Sequence, residues 1–161
     1  MLTNAQNNAL KAAIAAETDA TFVGYRNGGA TGLMAEWYNG TLSPAVLAWK
    51  TSVTPQEADE APSYSTFDNI VAGKRDSWGF FLNFPRDFSR AKVRNWIVDV
   101  WGSATSGSNA EAILQAGTRN ITRGEAVLGG TTTATTGTVT ARRLIWEGTI
   151  TNEDVVRAVN S

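Results

Sequence analysis

YSTFDNIVAGKRDSWGFFLNFPRDFSRAKVRNWIVDVWG, residues 64–102, holds five of the six phenylalanines and three of the six tryptophans of this 161-residue chain. A quarter of the sequence carries most of the largest apolar side chains, so a core is expected around it. In its second half Val93, Trp96, Ile97, Val100 and Trp101 recur at i, i+3, i+4, i+7 and i+8, with Arg90, Lys92, Arg94, Asn95 and Asp99 between them. That is the period of a helix with one buried stripe, and it predicts a helix from Arg90 to Trp101. Ser89 stands where an N-cap oxygen is wanted, and Gly102 where a left-handed residue ends the helix. In the first half Phe67, Ile70, Val71, Trp78, Phe81 and Leu82 fall roughly on one face, predicting a second helix from a Thr66 cap to Phe81. Pro85 biases the residue before it away from helix, so 83–88 reads as a connector and the two helices as a hairpin. Phe67, Trp78, Phe81, Val93, Trp96, Ile97 and Trp101 are the expected core.

Outward from this stretch the chain reads as mainly helical. Thr3 or Asn4 can cap a first helix of about four turns, with Leu10, Ala13, Ile14 and Glu17 at helical spacing. Residues 24–32, GYRNGGATG, contain four glycines and are expected to form a loop. Leu33 to Tyr38 then reads as a short apolar turn. Ser43-Pro44 is expected to open a helix over Pro44 to Lys50 that buries Val46, Leu47 and Trp49, because proline is tolerated at the first helical position. Residues 51–65 hold two prolines and the acidic Glu57, Asp59 and Glu60, which fits an exposed loop or a single capped turn. Beyond residue 102 a helix is expected from Asn109, with Ala110, Ile113, Leu114 and Gly117 inward, followed by a turn over Thr122 to Leu128.

At TTTATTGTVTA, 131–141, the period changes from helical to alternating. The tract is β-branched, and Gly137 supplies the one position at ease with positive φ, so it reads as a β-hairpin or extended arm over about 131–148. Thr-rich strands bury little, and their backbone groups need a partner strand, their own or a neighbour's. Thr151 then caps a closing helix over about 151–160, with Val155, Val156 and Val159 as its apolar face. The fold class read from sequence is therefore mainly α: a single domain, a bundle of five or six helices over about 3–128, with a C-terminal hairpin or arm.

The chain has no cysteine and no histidine, and its net charge is −1. Disulfides, thiol nucleophiles, Cys/His metal sites and histidine general bases are excluded, so no cofactor or metal is expected. The charge balance argues against a whole-domain nucleic-acid binder. No basic leader or apolar run of bilayer length is visible, and a soluble protein made in a cytoplasm, without membrane contact, is expected. Four lysines show no Ser-x-x-Lys pairing, and the glycine-rich 24–32 lacks the Lys-Ser/Thr of a phosphate loop. Glu57, Asp59, Glu60, Asp76 and Asp87 are the carboxylates a hydrolase would need, but no catalytic constellation emerges and an enzyme is not expected. Two basic groups stand out: Arg86, Arg90, Lys92 and Arg94 around the central helix, candidates for a partner or the DNA backbone, and Arg142 with Arg143 in the late strand.

Three segments carry a resemblance: LSPAVLAWKTSVT at 42–54, SRAKVRNWIVDVWGSATSGSNAEAILQAGTRNITRGEAVLG at 89–129, and RRLIWEGTITNEDVVRAVN at 142–160. Together they resemble small virion proteins of tailed bacteriophages encoded among the head and neck genes. In that group a Ser-Pro opens a short helix ending in Trp-Lys-Thr, and an aromatic-Glu-Gly, here Trp146-Glu147-Gly148, precedes a capped helix with an Asp-Val pair, here Asp154-Val155. The resemblance implies a head-to-tail connector or adaptor: a homo-oligomeric ring, a dodecamer by expectation, joining the portal to a tail or nozzle protein around the DNA. In such a part Thr132, Thr135, Gly137, Val139, Arg142 and Arg143 would contact a neighbouring subunit or the portal. Tail completion or capsid decoration is the alternative from the same class, and a carboxylate-dependent hydrolase the alternative from another.

Overall fold

The computed structural model describes residues 1–130 and 132–161. In chain order its elements are α1 (Asn4–Ala16), α2 (Ala20–Asn27), α3 (Thr31–Asn39), β1 (Leu47–Trp49), α4 (Pro55–Asp59), a 3-10 turn (Tyr64–Asn69), α5 (Ala72–Phe81), α6 (Ala91–Trp101), α7 (Asn109–Ala116), β2 (Thr118–Asn120), α8 (Arg123–Leu128), β3 (Thr133–Thr136), β4 (Val139–Arg142) and α9 (Asn152–Asn160). About 53% of the chain is helical, and the four strands form one mixed sheet of order β2-β1-β4-β3. The expectation of a helical bundle with an appended arm is thus wrong, because the hairpin is half of a sheet whose central partner strand, β1, lies far away in sequence. The chain divides into two compact units: Met1–Val46 with Asn120–Thr131 and Leu144–Ser161, and Leu47–Arg119 with Thr132–Arg143.

The first unit is helical. Its core holds Leu2, Leu10, Ile14, Phe22, Met34, Tyr38, Leu128, Ile150, Val155 and Ala158. No one segment is rich in large apolar groups, which is why the sequence hid this core. Side-chain oxygens close the starts of α1, α2, α8 and α9, though not of α3. Thr3 and Gln6 form a capping box on α1, Thr122 and Glu125 on α8, and Thr151 and Asp154 on α9, each satisfying N–H groups that lack an intrahelical partner. Asp154 is buried and also accepts from the Leu2 N–H at 3.3 Å, which ties α9 to the start of the chain. Burial opposes its charge, while the hydrogen bonds from Thr151 and Leu2 hold its carboxyl below the usual range.

Three sequence expectations fail in this unit. The expected loop over 24–32 is the end of α2 and the start of α3. Gly24 and Gly32 sit inside helices, and the chain reverses only at 28–30, where Gly29 takes φ 66°. Leu33 to Tyr38 is the body of α3, not an isolated turn. On α9, Val155 and Ala158 are buried, whereas Val156 and Val159 are 37% and 49% exposed, so the apolar face is narrower than three valines implied.

The second unit is α/β. Its core is Trp49, Val53, Trp78, Phe81, Phe88, Ile97, Val100, Ile113, Leu114, Val139 and Ala141, with Phe67, Val93, Trp96 and Trp101 packed partly buried against it. Trp78 stacks on Phe81 at 4.9 Å and meets Trp101 edge-on at 5.3 Å. Trp78 and Phe81 are each 1% exposed. Aromatic side chains of this size bury about 150–250 Å² each, a gross stabilisation of about 4–6 kcal/mol per ring before entropy is charged against it.

The expected helix Pro44 to Lys50 is strand β1. Ala48 pairs in parallel with Arg142 of β4, and Lys50 N–H donates to Gly117 O at 2.9 Å, so a ladder from distant residues takes the backbone groups a helix would have used. Trp49 is buried as expected and donates its indole N–H to Ala134 O at 3.1 Å, but Val46 is half-buried and Leu47 is 39% exposed. The expected helix from Thr66 to Phe81 is two pieces, a 3-10 turn and α5, parted at Ile70 and Val71, which are extended or nearly so. α6 lies where its period placed it and ends at Gly102 with φ 87°, although its N-cap is Arg90 rather than Ser89.

Candidate assembly surface

β3 and β4 form a hairpin with Thr133 opposite Arg142, Ala134 opposite Ala141, Thr135 opposite Thr140 and Thr136 opposite Val139. Two residues close it, and Gly137 at φ 60° is the first of them, the place where a type II′ turn needs glycine. The tip is held down. Thr138 N–H donates to Ala104 O at 3.0 Å, and a Cβ on Gly137 would stand 2.2 Å from that oxygen. The inner face is fixed as well: Val139 and Ala141 are buried, and Arg94 Nε donates to Thr136 Oγ1 at 2.9 Å. The outer face carries Thr133, Thr135 and Thr140 exposed beside half-buried Arg142, with Thr135 and Thr140 hydroxyls 2.8 Å apart, while exposed Arg143, opposite Thr132, falls on the same side as Val139 and Ala141. Of the interaction residues expected from sequence, Thr132, Thr135, Gly137 and Arg143 lie at the surface, Arg142 is half-buried and Val139 is core. Thr131, the first residue of the expected arm, lies outside the described residues.

The basic group around α6 separates in the same way. Arg94 is 3% exposed and donates from Nη1 to Phe88 O and Ser89 O at 2.6 and 2.8 Å, with its guanidinium 4.6 Å from the Trp49 ring centre. Burial, then the charge of Arg143, disfavour its protonated form, and Asp87 partly offsets them. It is an internal stitch. Arg86 donates to Phe81 O and Phe80 O at 2.8 and 2.9 Å, closing the end of α5, and lies within 5.9 Å of the ring centres of Phe80, Phe81, Phe84 and Trp96. Arg90 is exposed and pairs with Asp87, and Lys92 is exposed.

A second surface surrounds Arg86. Phe80 and Phe84 are 58% and 59% exposed beside half-buried Trp96, whose ring lies 6.2 Å from that of Phe80. Exposed aromatics clustered around a guanidinium are the composition of protein–protein hot spots. Arg94 and Trp96 are two residues apart on α6, about 200° around it, so the hairpin and the aromatic patch occupy opposite flanks of one helix.

The carboxylates considered for a hydrolase have local partners. Glu57 accepts from Thr54 N–H and Lys50, Asp59 from the Tyr64 hydroxyl, Glu60 from Gln56, and Asp87 from Ser89 N–H and Arg90. Asp76 is exposed. The Thr54 N–H, with Lys50 and the Thr54 hydroxyl, holds Glu57 down at about 2. Because the folded value is depressed from 4.5, the stability it supplies is complete at neutral pH and is lost as pH falls from that ordinary value toward 2. Chemical denaturation across this window should therefore show a shallower acid slope in Glu57→Gln than in the parent, and equal slopes would refute the assignment.

The first unit contains a cleft of about 510 Å³ walled by Glu17, Asp19, Trp37, Tyr38, Leu42 and Arg123. Arg123 lies 4.2 Å over the Trp37 ring and donates to Trp37 O. The Tyr38 hydroxyl is buried without a hydrogen-bond partner among the described residues, and burial, then Glu17, push its ionisation up. No sequence motif pointed here.

Compared with models of known families, with curated proteins and with solved structures, the chain matches none.

Proposed function

We propose that this chain is a structural virion protein of a tailed bacteriophage, a head-to-tail connector that joins portal to tail in the assembled particle. The observation that carries the reading is the pair of unprotected surfaces on opposite flanks of α6: the Thr-rich hairpin edge, and the aromatic patch of Phe80, Phe84 and Trp96 around Arg86. An adaptor must hold two different neighbours at once, and two chemically unlike surfaces on one rigid element supply that. The resemblance of residues 42–54, 89–129 and 142–160 to neck proteins supports the same reading. Exposed Lys92 and Arg90 are the α6 cations that could meet phosphates without reading sequence.

Native mass of the purified full chain, alone and with the portal of the same phage, tests it. A closed ring on the portal is the expected result, and binding should weaken at least tenfold in the double variant Phe80→Ser/Phe84→Ser with the unfolding midpoint unchanged. Trimers that ignore the portal would favour capsid decoration. A chain that stays unbound at every concentration would overturn the connector.

A further inference from the structure

The structure assigns to the open edge of β3 a partner that no comparison supplies: a second copy of this chain, pairing edge to edge, antiparallel, about a two-fold axis at Ala134. The parity of the hairpin sets which backbone groups are available. Arg143 N–H donates to Thr132 O at 2.8 Å, and the register then makes Thr132, Ala134 and Thr136 the residues that exchange bonds with β4. The N–H and C=O of Thr133 and Thr135 consequently point away from β4. β3 ends the strand order, so these four groups face outward along the sheet edge.

Natural edges are commonly blocked by lysine, proline, a bulge or a covering loop. This one has none of the first three: TATT is neutral, three of its four residues are β-branched, and its ladder to β4 runs without a bulge. It is also complementary to itself. With Ala134 opposite Ala134 of the second copy, Thr133 stands opposite Thr135 and Thr135 opposite Thr133, closing four N–H···O bonds between neutral side chains with no like charges opposed.

The neighbouring groove selects the same occupant. About 570 Å³ in volume, it runs between α6 and the outer end of β3, and its walls, which include Asn95, Val98, Ser103, Thr105, Thr136 and Thr138, carry no charged side chain. In the two-fold register Thr132 of the second copy comes opposite Thr136, on the α6 side of the sheet. A small uncharged side chain is what this groove accepts. A charged peptide would lose its hydration there without gaining a partner.

An isologous contact closes at two copies and cannot build a ring, so the pairing goes beyond the connector reading and stands or falls separately from it. The test uses the full chain without portal. Sedimentation over a wide concentration range should show a monomer–dimer equilibrium, and hydrogen exchange at Thr133 and Thr135 should slow as dimer forms. Thr135→Pro removes an outward N–H together with the hydroxyl that meets Thr140 and should raise the dimer dissociation constant at least tenfold, whereas Thr135→Val loses the same hydroxyl but keeps the N–H and should dimerise as the parent does. Should Thr135→Pro fail to fold, exchange at the two parent amides decides. Fast exchange at Thr133 and Thr135 at all concentrations, or a dimer that survives Thr135→Pro with its fold intact, overturns the proposal. Loss of portal binding with the dimer unchanged would count against the connector alone.

Discussion

Gly117→Ala is expected to destabilise the second unit by about 3 kcal/mol or more, at the upper end of what overpacking costs. Conformation is not the reason: Gly117 has φ −76° and ψ 6°, which alanine adopts readily, and exchanging glycine for alanine at a compatible site ordinarily stabilises by about 0.4–1 kcal/mol. Space is the reason. A Cβ there would lie 1.8 Å from Cδ2 and 2.5 Å from Cε2 of Phe88, a ring that is 0% exposed. Phe88 cannot simply retreat. Its N–H donates to Lys50 O at 3.0 Å, while Lys50 N–H donates to Gly117 O at 2.9 Å, so one residue beside β1 fixes both the ring's backbone and the glycine's. Phe81 stands edge-on to the ring at 6.2 Å. Urea unfolding measures the loss, and Gly117→Ala/Phe88→Leu should recover at least half of it, because the smaller side chain vacates the position the methyl needs. A single variant within about 0.5 kcal/mol of the parent would show that the contact is not the constraint described.

Such a contact cannot be read from the sequence, since Phe88 and Gly117 are joined only through a strand that the sequence misassigns. The run Pro44 to Lys50 looks helical because proline, alanine and leucine favour that reading locally, and nothing nearby announces that its ladder partner, β4, lies more than ninety residues on. What is local was legible. The α6 stripe, the threonine caps of α1 and α9, and the Gly137 hairpin each depend on groups within a few residues of one another. Glycine misled where it was counted instead of placed: with nothing within 4 Å of a Cβ at Gly24 or Gly32, both tolerate a helix, and only Gly29 requires a turn. The aromatic patch was half visible. Phe80, Phe84 and Trp96 all stand in the opening stretch, but only Trp96 was given a place, in the core, and nothing in the periodicity set apart the two phenylalanines, which are mostly exposed. The basic cluster was misjudged for the opposite reason, because a charge on a helix is usually solvated. Arg94 is three residues before Ile97 and seven before Trp101, so its place on the apolar stripe was there to be read.

Arg94→Met follows from that position and is expected to cost about 3 kcal/mol. Two effects compete. The guanidinium is buried and its bonds run to uncharged acceptors, Phe88 O, Ser89 O and Thr136 Oγ1, so its removal relieves a desolvation penalty that burial imposes on the charge. Methionine keeps the stem against Trp49 but leaves the Phe88 and Ser89 carbonyls, which precede α6, without their donor, and each unpaired buried group costs about 1–3 kcal/mol. The second effect wins, because two carbonyls are orphaned while the guanidinium was already compensated by three hydrogen bonds. The hairpin should respond beyond the global loss, since Arg94 is the side chain that holds Thr136. Amide exchange at Ala134 and Thr136 should therefore speed up more than at Ile113 or Leu114 in α7. Arg94→Lys should recover little, because a compact ammonium cannot span two carbonyls and a hydroxyl in the fork geometry. A uniform rise in exchange across the unit would leave Arg94 as packing alone, and a methionine variant as stable as the parent would mean that desolvation, not the carbonyls, decides.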